Sequence, residues 1–132
     1  MSKGAHAPSV AIFSDADGSV TLDFLPAPDL EALAETLIAR HPGFSHLTPL
    51  HIGYLWKRKG GLDKGAPRLG KTTRPSGLLA HFSELDFVIW LAADHCAKLG
   101  SLKIEAALHE QLCAIGVDSE SGEAVLVGPD FA

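Results

Sequence analysis

The chain of 132 residues has 46% hydrophobic content and a formal net charge of −5. This length suits one core that buries roughly two-thirds of the unfolded chain's surface, so residues 1–132 are expected to form a single domain. The longest nearly uncharged apolar run, from Phe87 to Ala93, is far shorter than the ~20 residues that span a bilayer, and the N-terminus has no secretory apolar core. The chain has only two cysteines, Cys96 and Cys113, and each is expected to be a buried apolar residue. The absence of a disulfide framework predicts a cytoplasmic protein without membrane contact.

The first half of the chain predicts a strand pair, a helix and a strand. Residues 9–25 contain the apolar segments VAIF and VTLDFL around an Asp-Gly turn, which is typical of a hairpin. The segment DLEALAETLIARH has leucines at helical spacing, so an amphipathic helix should begin with Asp29 as its N-cap and end before Pro42. HIGYLWKRK alternates as a half-buried strand does, and residues 60–67 then predict a loop.

The second half predicts the centre of the fold and a second helix. Residues 68–82 should be extended, as an irregular or edge strand because of Pro75 and Gly77. Residues 86–94 are almost continuously apolar and predict a strand covered on both faces. A helix should follow over residues 101–115, capped by Ser101 and stopped by Gly116, and the tail should hold a turn and the short strand AVLV. The predicted class is α+β: a mixed or antiparallel sheet of three to five strands, packed by the N-terminal helix and the helix of residues 101–115.

The helix of residues 101–115 contains the sequence His-Glu-x-x-Cys. His109 and Cys113 lie four residues apart on one helical face, the spacing at which two side chains reach one zinc ion, and Glu110 has the chemistry of a general base. A thiolate ligand weakens zinc as a Lewis acid, so cysteine is unusual in a hydrolytic site. The alternative is a flanking histidine and a buried cysteine. A third ligand would have to come from the acidic segment that follows: Asp118, Glu120, Glu123 or Asp130.

Positive charge is concentrated in residues 57–74, which we call the basic ribbon. It holds seven of the chain's 11 lysines and arginines and one of its 16 acids, so its net charge is +6 and the remainder carries −11. Such a patch attracts nucleic acid or an acidic protein, and we expect its cations to project onto one face from two adjacent strands and their loop. The alternative is a solvated hairpin that guards a strand edge. The cations are Lys57, Arg58, Lys59, Lys64, Arg68, Lys71 and Arg74.

Five stretches within residues 47–131 together resemble the phage metallopeptidase family, small zincin-like proteins related to SprT-type peptidases. These stretches are HIGYLWKRK, LGKTTRPSGLLAHF, DFVIWLAAD, ALHEQLCAIGVD and GEAVLVGPDF. The resemblance implies a small zincin-like domain whose cleft can hold a peptide, a partner or nucleic acid.

The family's helix pattern, Ala-Leu-Leu-Asp-His-Glu-Leu-Cys-His-Cys-Gly-Val-Asp, aligns without a gap through the shared Leu-Cys and Gly-Val-Asp. In that register Glu110 stands at the first histidine, Gln111 at the catalytic glutamate, Ala114 at the second histidine and Pro129 at the third. His109 is then rotated by about 100° from the metal-holding position. The resemblance therefore implies a degenerate motif, with no catalytic residue, metal or other cofactor favoured.

The resemblance and the degenerate motif together favour a catalytically inactive phage or prophage protein that binds a host or phage macromolecule in the host cytoplasm. Inhibition of a host defence complex, such as a CRISPR complex, is one form that this binding would take. Two alternatives stay open. The first is an active zinc peptidase that uses His109, Glu110 and Cys113, and the second is a nucleic-acid-binding accessory protein that acts through the basic ribbon.

Overall fold

The computed structural model describes residues 6–15 and 17–127, which form a mixed α+β structure as predicted. The helices are α1 (Pro28–Arg40), α2 (Gly77–Phe82), α3 (Ala93–Cys96) and α4 (Ser101–Cys113), with 3-10 turns at Val10–Phe13 and Pro42–Leu47. The strands are β1 (Phe24–Pro26), β2 (Ile52–Lys57), β3 (Leu62–Asp63), β4 (Ala66–Pro67), β5 (Gly70–Thr73), β6 (Phe87–Ala92), β7 (Ile115–Val117) and β8 (Ala124–Leu126). Among the described helices, none is long and apolar enough to cross a membrane.

The main sheet has four strands in the order β1-β2-β6-β5. Strands β2 and β6 are parallel, whereas β1 and β5 pair antiparallel with their neighbours, so the sheet is mixed. Strand β6 lies in the interior of the sheet, and five of its six residues are buried. The prediction of a central strand covered on both faces is confirmed, and β5 becomes an edge strand, as Pro75 and Gly77 indicated.

Helices α1 and α4 cover one face of this sheet. In α1, Leu30, Ala34 and Leu37 recur every three to four residues and are buried; Ile104, Leu108 and Leu112 do the same in α4. This spacing turns one stripe of each helix towards the sheet, and each fully buried leucine contributes roughly 1.5–3 kcal/mol through removal of its apolar surface from water. Helix α4 packs on α1, β5 and β6, which fixes its position beside the edge of the sheet.

The strand predicted at VAIF, the first half of the hairpin of residues 9–25, is wrong. Residues Val10–Phe13 form a 3-10 turn, because the Ser9 hydroxyl accepts a hydrogen bond from the Ala11 amide and the Ser14 amide donates to the Ala11 carbonyl. Among the described residues of this segment, a single antiparallel bridge between Ser14 and Thr21 pairs the two halves. The second segment pairs through β1 with β2 instead, while Phe13 is buried in the core.

The extended structure predicted for residues 68–82 ends at Thr73. Pro75 lacks the N–H needed to continue the ladder, and residues 77–82, rich in leucine and alanine, form α2 instead of a strand. Residues 60–67, predicted as a loop, contain the short hairpin of β3 and β4. Its turn has positive φ at Lys64 and Gly65, the geometry of a type I′ turn.

Three predicted helix boundaries differ from those in the structure. Helix α1 begins after Ala27 with Pro28 at its first position; the Asp29 carboxylate does not cap it but accepts a hydrogen bond from the Trp56 indole at 3.1 Å. Helix α4 has Gly100 as its N-cap, and it ends at Cys113 instead of Ile115. Gly116 does not stop the helix, because residues 115–117 pair with β8 as β7. The predicted tail turn and final strand are confirmed.

Candidate functional site

A cleft of about 910 Å³ lies between α4 and the edge strand β5, and the β3–β4 hairpin borders one end. Consecutive residues from Arg68 to Thr72 form one wall. The other walls come from α4, the residue after it, and the end of β8. The lining residues outside β5 and its approach are Asp63, Ala66, Pro67, Ala107, Glu110, Gln111, Cys113, Ala114, Leu126 and Val127.

The pairing of β5 with β6 determines which backbone groups β5 leaves free. The Ala92 amide donates to the Leu69 carbonyl at 2.8 Å, so these two residues form a hydrogen-bonded pair, and Lys71 with Trp90 is the next such pair along the ladder. In an antiparallel ladder the intervening residues direct their N–H and C=O groups away from the partner strand. Gly70 and Thr72 therefore present their backbone groups at the free edge, which borders the cleft.

Gly70 has no room for a side chain. A Cβ atom there would lie 2.5 Å from Leu91 Cδ2 and 2.8 Å from the Trp90 carbonyl oxygen, with Gln111 Cγ at 3.4 Å. The close approach of β5 to β6 and α4 thus requires glycine. Its absent side chain also leaves the backbone of Gly70 open to the cleft.

Thr72 links the edge strand to α4. Its hydroxyl donates to the Gln111 side-chain oxygen at 2.8 Å and also lies 3.0 Å from the Gln111 backbone oxygen. Thr72 is 9% exposed, so this bond is largely shielded from water. It fixes the separation of the two long walls of the cleft.

Three of the positions that the family register assigns to the metal site come together in this cleft. Glu110, Gln111 and Ala114 all line it, while Pro129 lies outside the described residues. The Gln111 amide oxygen is occupied as an acceptor for Thr72, and Ala114 offers only a methyl group. The burial expected for Leu108, Leu112 and Ile115 is confirmed, so the helix turns its apolar stripe to the core.

His109 and Cys113 do not both line the cleft. Although Cys113 lines it, the His109 ring packs against Phe44 and His41, with centroid separations of 5.0 Å and 5.3 Å. The Cys113 sulfur lies 3.7 Å from His109 Nδ1. Cys113 is exposed, so its predicted burial is wrong, whereas Cys96 is buried as predicted. Partial burial, and then Glu110, raise the pKa of the Cys113 thiol, which disfavours the thiolate form.

The residues at the family positions do not fit a zinc ion, because a hydrolytic zinc needs three protein ligands and a base. Across residues 6–15 and 17–127, no group of three histidine, cysteine or acidic side chains stands close enough to hold a metal. Of the acidic third-ligand candidates, Asp118 accepts a hydrogen bond from the Glu120 amide within the tail turn, and neither residue lines the cleft. Asp130 lies outside the described residues.

The base of the β3–β4 hairpin is tied to α3. The Gly60 amide donates to the Asp94 carboxylate at 3.1 Å, and the Gly61 carbonyl lies 2.9 Å from His95 Nε2. The Arg68 amide also donates to the Gly61 carbonyl. These bonds hold the hairpin at the end of the cleft, where Asp63 and Ala66 contribute to its lining.

The basic ribbon does not form one face built from two adjacent strands, because β6 separates β2 from β5. The Lys57 ammonium lies over the Trp90 and Phe24 rings, 4.7 Å and 5.8 Å from their centroids. The ribbon is also not separated from acidic groups. Arg58 pairs with Asp23 at 3.9 Å, and Arg68 pairs with the ribbon's own acid, Asp63, at 3.4 Å. The remaining cations, Lys59, Lys64, Lys71 and Arg74, are exposed, and Lys71 lines the cleft.

Several cleft residues were not singled out from the sequence. Gly70 and Thr72 belong to the segment identified as an edge strand, but no local pattern indicates which backbone groups face outwards. Ala107 lies on α4 one turn before Gln111, so the helical spacing of the degenerate positions would have pointed to it. Leu126 and Val127 carry no signal, because their place depends on the pairing of β7 with β8.

Comparison with known proteins identifies the family of the chain. A family model described as "Putative phage metallopeptidase" matches residues 22–132. No curated protein and no solved structure matches the chain. The matched range includes the sheet, both long helices and the cleft, and it covers more than half of the sequence. The chain belongs to the phage metallopeptidase family.

Proposed function

We propose that this chain is a non-catalytic, polypeptide-binding member of its family, whose cleft takes an extended segment of a host or phage protein. The observation that carries the proposal is the free edge of β5, where the backbone groups of Gly70 and Thr72 point away from β6 and border a cleft of about 910 Å³. An extended peptide that pairs with a sheet edge gains main-chain hydrogen bonds, and side-chain pockets supply its specificity.

The edge of β5 suits this mode of binding. Gly70 and Thr72 are two residues apart, so their free groups recur at about 6.8 Å, the repeat of an antiparallel partner. Each backbone hydrogen bond contributes only about 0.5–1.5 kcal/mol after water is displaced. Affinity must therefore also come from side chains in contact with α4 and the end of β8, and Leu126 and Val127 present exposed apolar surface there.

The cleft residues argue against peptide hydrolysis. A general base must accept a proton near neutral pH, and the amide at Gln111 does not. The alternative peptidase with His109, Glu110 and Cys113 is disfavoured, because His109 packs on Phe44 instead of lining the cleft. A nucleic-acid partner is less favoured than a polypeptide, since the ribbon's cations are divided by β6 and partly paired with acids.

The family's association with phages supports a partner in the infected cell. Host defence complexes, including CRISPR complexes, are one class of target that we propose for the cleft. Docking of an extended segment would inhibit such a complex by sequestering that segment, without any chemical step.

Selection from a random heptapeptide library, followed by two N-methylated versions of the tightest peptide, tests the proposal. Methyl groups on alternate residues remove the N–H groups of one edge of the peptide and leave the other edge intact. We expect one version to lose more than tenfold in affinity and the other to stay within about twofold, because only one edge pairs with β5. Equal affinity of both versions, or a library without binders, would contradict the proposal.

A variant pair locates the site. Ala114→Trp fills the cleft and should abolish binding, whereas Leu102→Trp changes a residue of the same helix that is 80% exposed and does not line the cleft. Leu102→Trp should bind like the parent. Retention of binding by Ala114→Trp would place the peptide elsewhere.

A further inference from the structure

The pleat of the sheet decides which side chains of an added strand meet which wall. Residues directly opposite in neighbouring strands place their side chains on the same face. The partner of Lys71 would thus share the face of Lys71 and Trp90, which are themselves paired across β5 and β6. The partners of Gly70 and Thr72 would point the other way, towards α4, as the Thr72 hydroxyl does.

On the first face, Lys71 supplies an unpaired positive charge. It is exposed at the cleft, and no carboxylate among the described residues lies within 4.0 Å of its ammonium group. The other cation that lines the cleft, Arg68, is already paired with Asp63 at 3.4 Å. Lys71 is therefore the cation of the lining that is available to an incoming acidic side chain.

On the second face, most side chains of the wall are apolar, two of them are small, and one carries a negative charge. Ala107 and Ala114 contribute methyl groups, and Leu126 and Val127 contribute exposed apolar surface. Glu110 is exposed on the same wall and has no cationic partner among the described residues. An acidic side chain that points towards α4 would meet this carboxylate and be repelled.

We infer that the cleft selects an extended segment with an acidic residue opposite Lys71 and uncharged, predominantly apolar residues on either side of it. Lys71 and Glu110 are then specificity-determining residues that discriminate between the two faces of the bound strand. This inference rests on the proposed function, because it assumes that the segment pairs with β5.

The expected effects follow from the exposure of these charges. An exposed ion pair changes affinity by up to about fivefold, and reversal of one partner replaces attraction with repulsion of similar size. Exchange of the central acid for lysine should weaken binding to the parent protein roughly tenfold at low salt. The difference should shrink at 0.5 M salt, because mobile ions screen exposed charges.

A charge exchange in the tightest library peptide tests the inference. Residues whose N-methylation is tolerated are those opposite Lys71, since their N–H groups face away from β5. The central residue of this set is synthesised as glutamate, glutamine or lysine, and affinities are measured by fluorescence anisotropy. The parent should prefer glutamate and Lys71→Glu should prefer lysine. Lys59→Glu, which reverses an exposed cation that does not line the cleft, should keep the parent's order.

A second exchange tests the opposite face. A glutamate placed next to the central residue should weaken binding to the parent and be tolerated by Glu110→Lys. If Lys71→Glu keeps the parent's order of preference while alternate N-methylation still discriminates, the inference is wrong and the proposed function stands. Loss of the N-methylation pattern itself would overturn the proposed function.

Discussion

The hydroxyl of Thr72 donates a hydrogen bond to the side-chain oxygen of Gln111 at 2.8 Å, which joins the edge strand β5 to α4. In the family register, Gln111 stands where the catalytic glutamate is expected. The position that would activate water in a peptidase instead holds the two walls of the cleft together. This hydrogen bond ties the residue at that family position to the opposite wall of the cleft.

Thr72→Val should lower the free energy of unfolding by about 1–2 kcal/mol, because it removes a shielded hydrogen bond and leaves the Gln111 oxygen without its donor. Urea denaturation measures the change. Thr73→Val is the matched control: Thr73 is less buried, and its hydroxyl makes only a 3.4 Å contact with the Val88 carbonyl. Equal costs for the two variants would show that the link to Gln111 adds no stability.

The two cysteines should respond differently to the same replacement. Cys113→Ser should change the free energy of unfolding by less than about 0.5 kcal/mol, because the Cys113 side chain is exposed. Cys96→Ser should cost about 1–3 kcal/mol, since it places a hydroxyl in a fully buried site. Thermal and urea unfolding of both variants provide the comparison. A large loss in Cys113→Ser would mean that Cys113 is packed or bound to a metal.

Stability should fall as the pH rises from about 9 to 11. Burial, and then Asp94, raise the pKa of the Cys96 thiol from its ordinary 9.0 to about 11. In this window the unfolded chain loses the thiol proton and the folded protein retains it, so deprotonation favours unfolding by roughly 2–3 kcal/mol in all. This contribution is fully present below pH 9.

Cys96→Ala isolates this effect in urea denaturation from pH 8 to pH 11. Its stability should depend less steeply on pH than that of the parent. Burial, and then Glu31 and Glu35, also raise the pKa of the Tyr54 phenol, but Tyr54 is intact in both proteins and cancels in the comparison. Parallel pH profiles would refute a role for the thiol.

Metal removal should leave the protein unchanged. Treatment with EDTA should shift the Tm by less than about one degree, and elemental analysis should find far less than one zinc per chain, because Gln111 and Ala114 offer no zinc ligand. A fall in Tm that zinc reverses would contradict this expectation. If the fall were absent in His109→Ala and Cys113→Ser, the metal would be assigned to that pair.

The parts of the fold that depend on local pattern were predictable from the sequence. The apolar stripes of α1 and α4 follow from leucine and isoleucine spacing, and the interior position of β6 follows from its continuous apolarity. Residues 10–13 were assigned wrongly, because a short apolar run reads as a strand unless the hydrogen bond from the Ala11 amide to Ser9 is considered. Tertiary pairing, which local pattern does not encode, decided the partner of β1.

The candidate site was predictable only in part. The family register placed Glu110, Gln111 and Ala114 on one side of a helix, and all three line the cleft. The opposite wall required the ladder between β5 and β6, because only its register shows that Gly70 and Thr72 face outwards. The basic ribbon was misjudged for a similar reason: its cations are close in sequence, but the sheet order places β6 between their strands.

Residue-resolved amide hydrogen exchange, with and without the tightest library heptapeptide, tests most directly whether β5 accepts an added strand. In the free protein the amide of Lys71, paired with Trp90, should exchange slowly, while those of Gly70 and Thr72, which have no partner strand among the described residues, should exchange faster. The bound peptide should slow exchange at Gly70 and Thr72 by at least tenfold and leave Lys71 nearly unchanged. Saturating peptide with no added protection at Gly70 and Thr72 would contradict strand addition at β5.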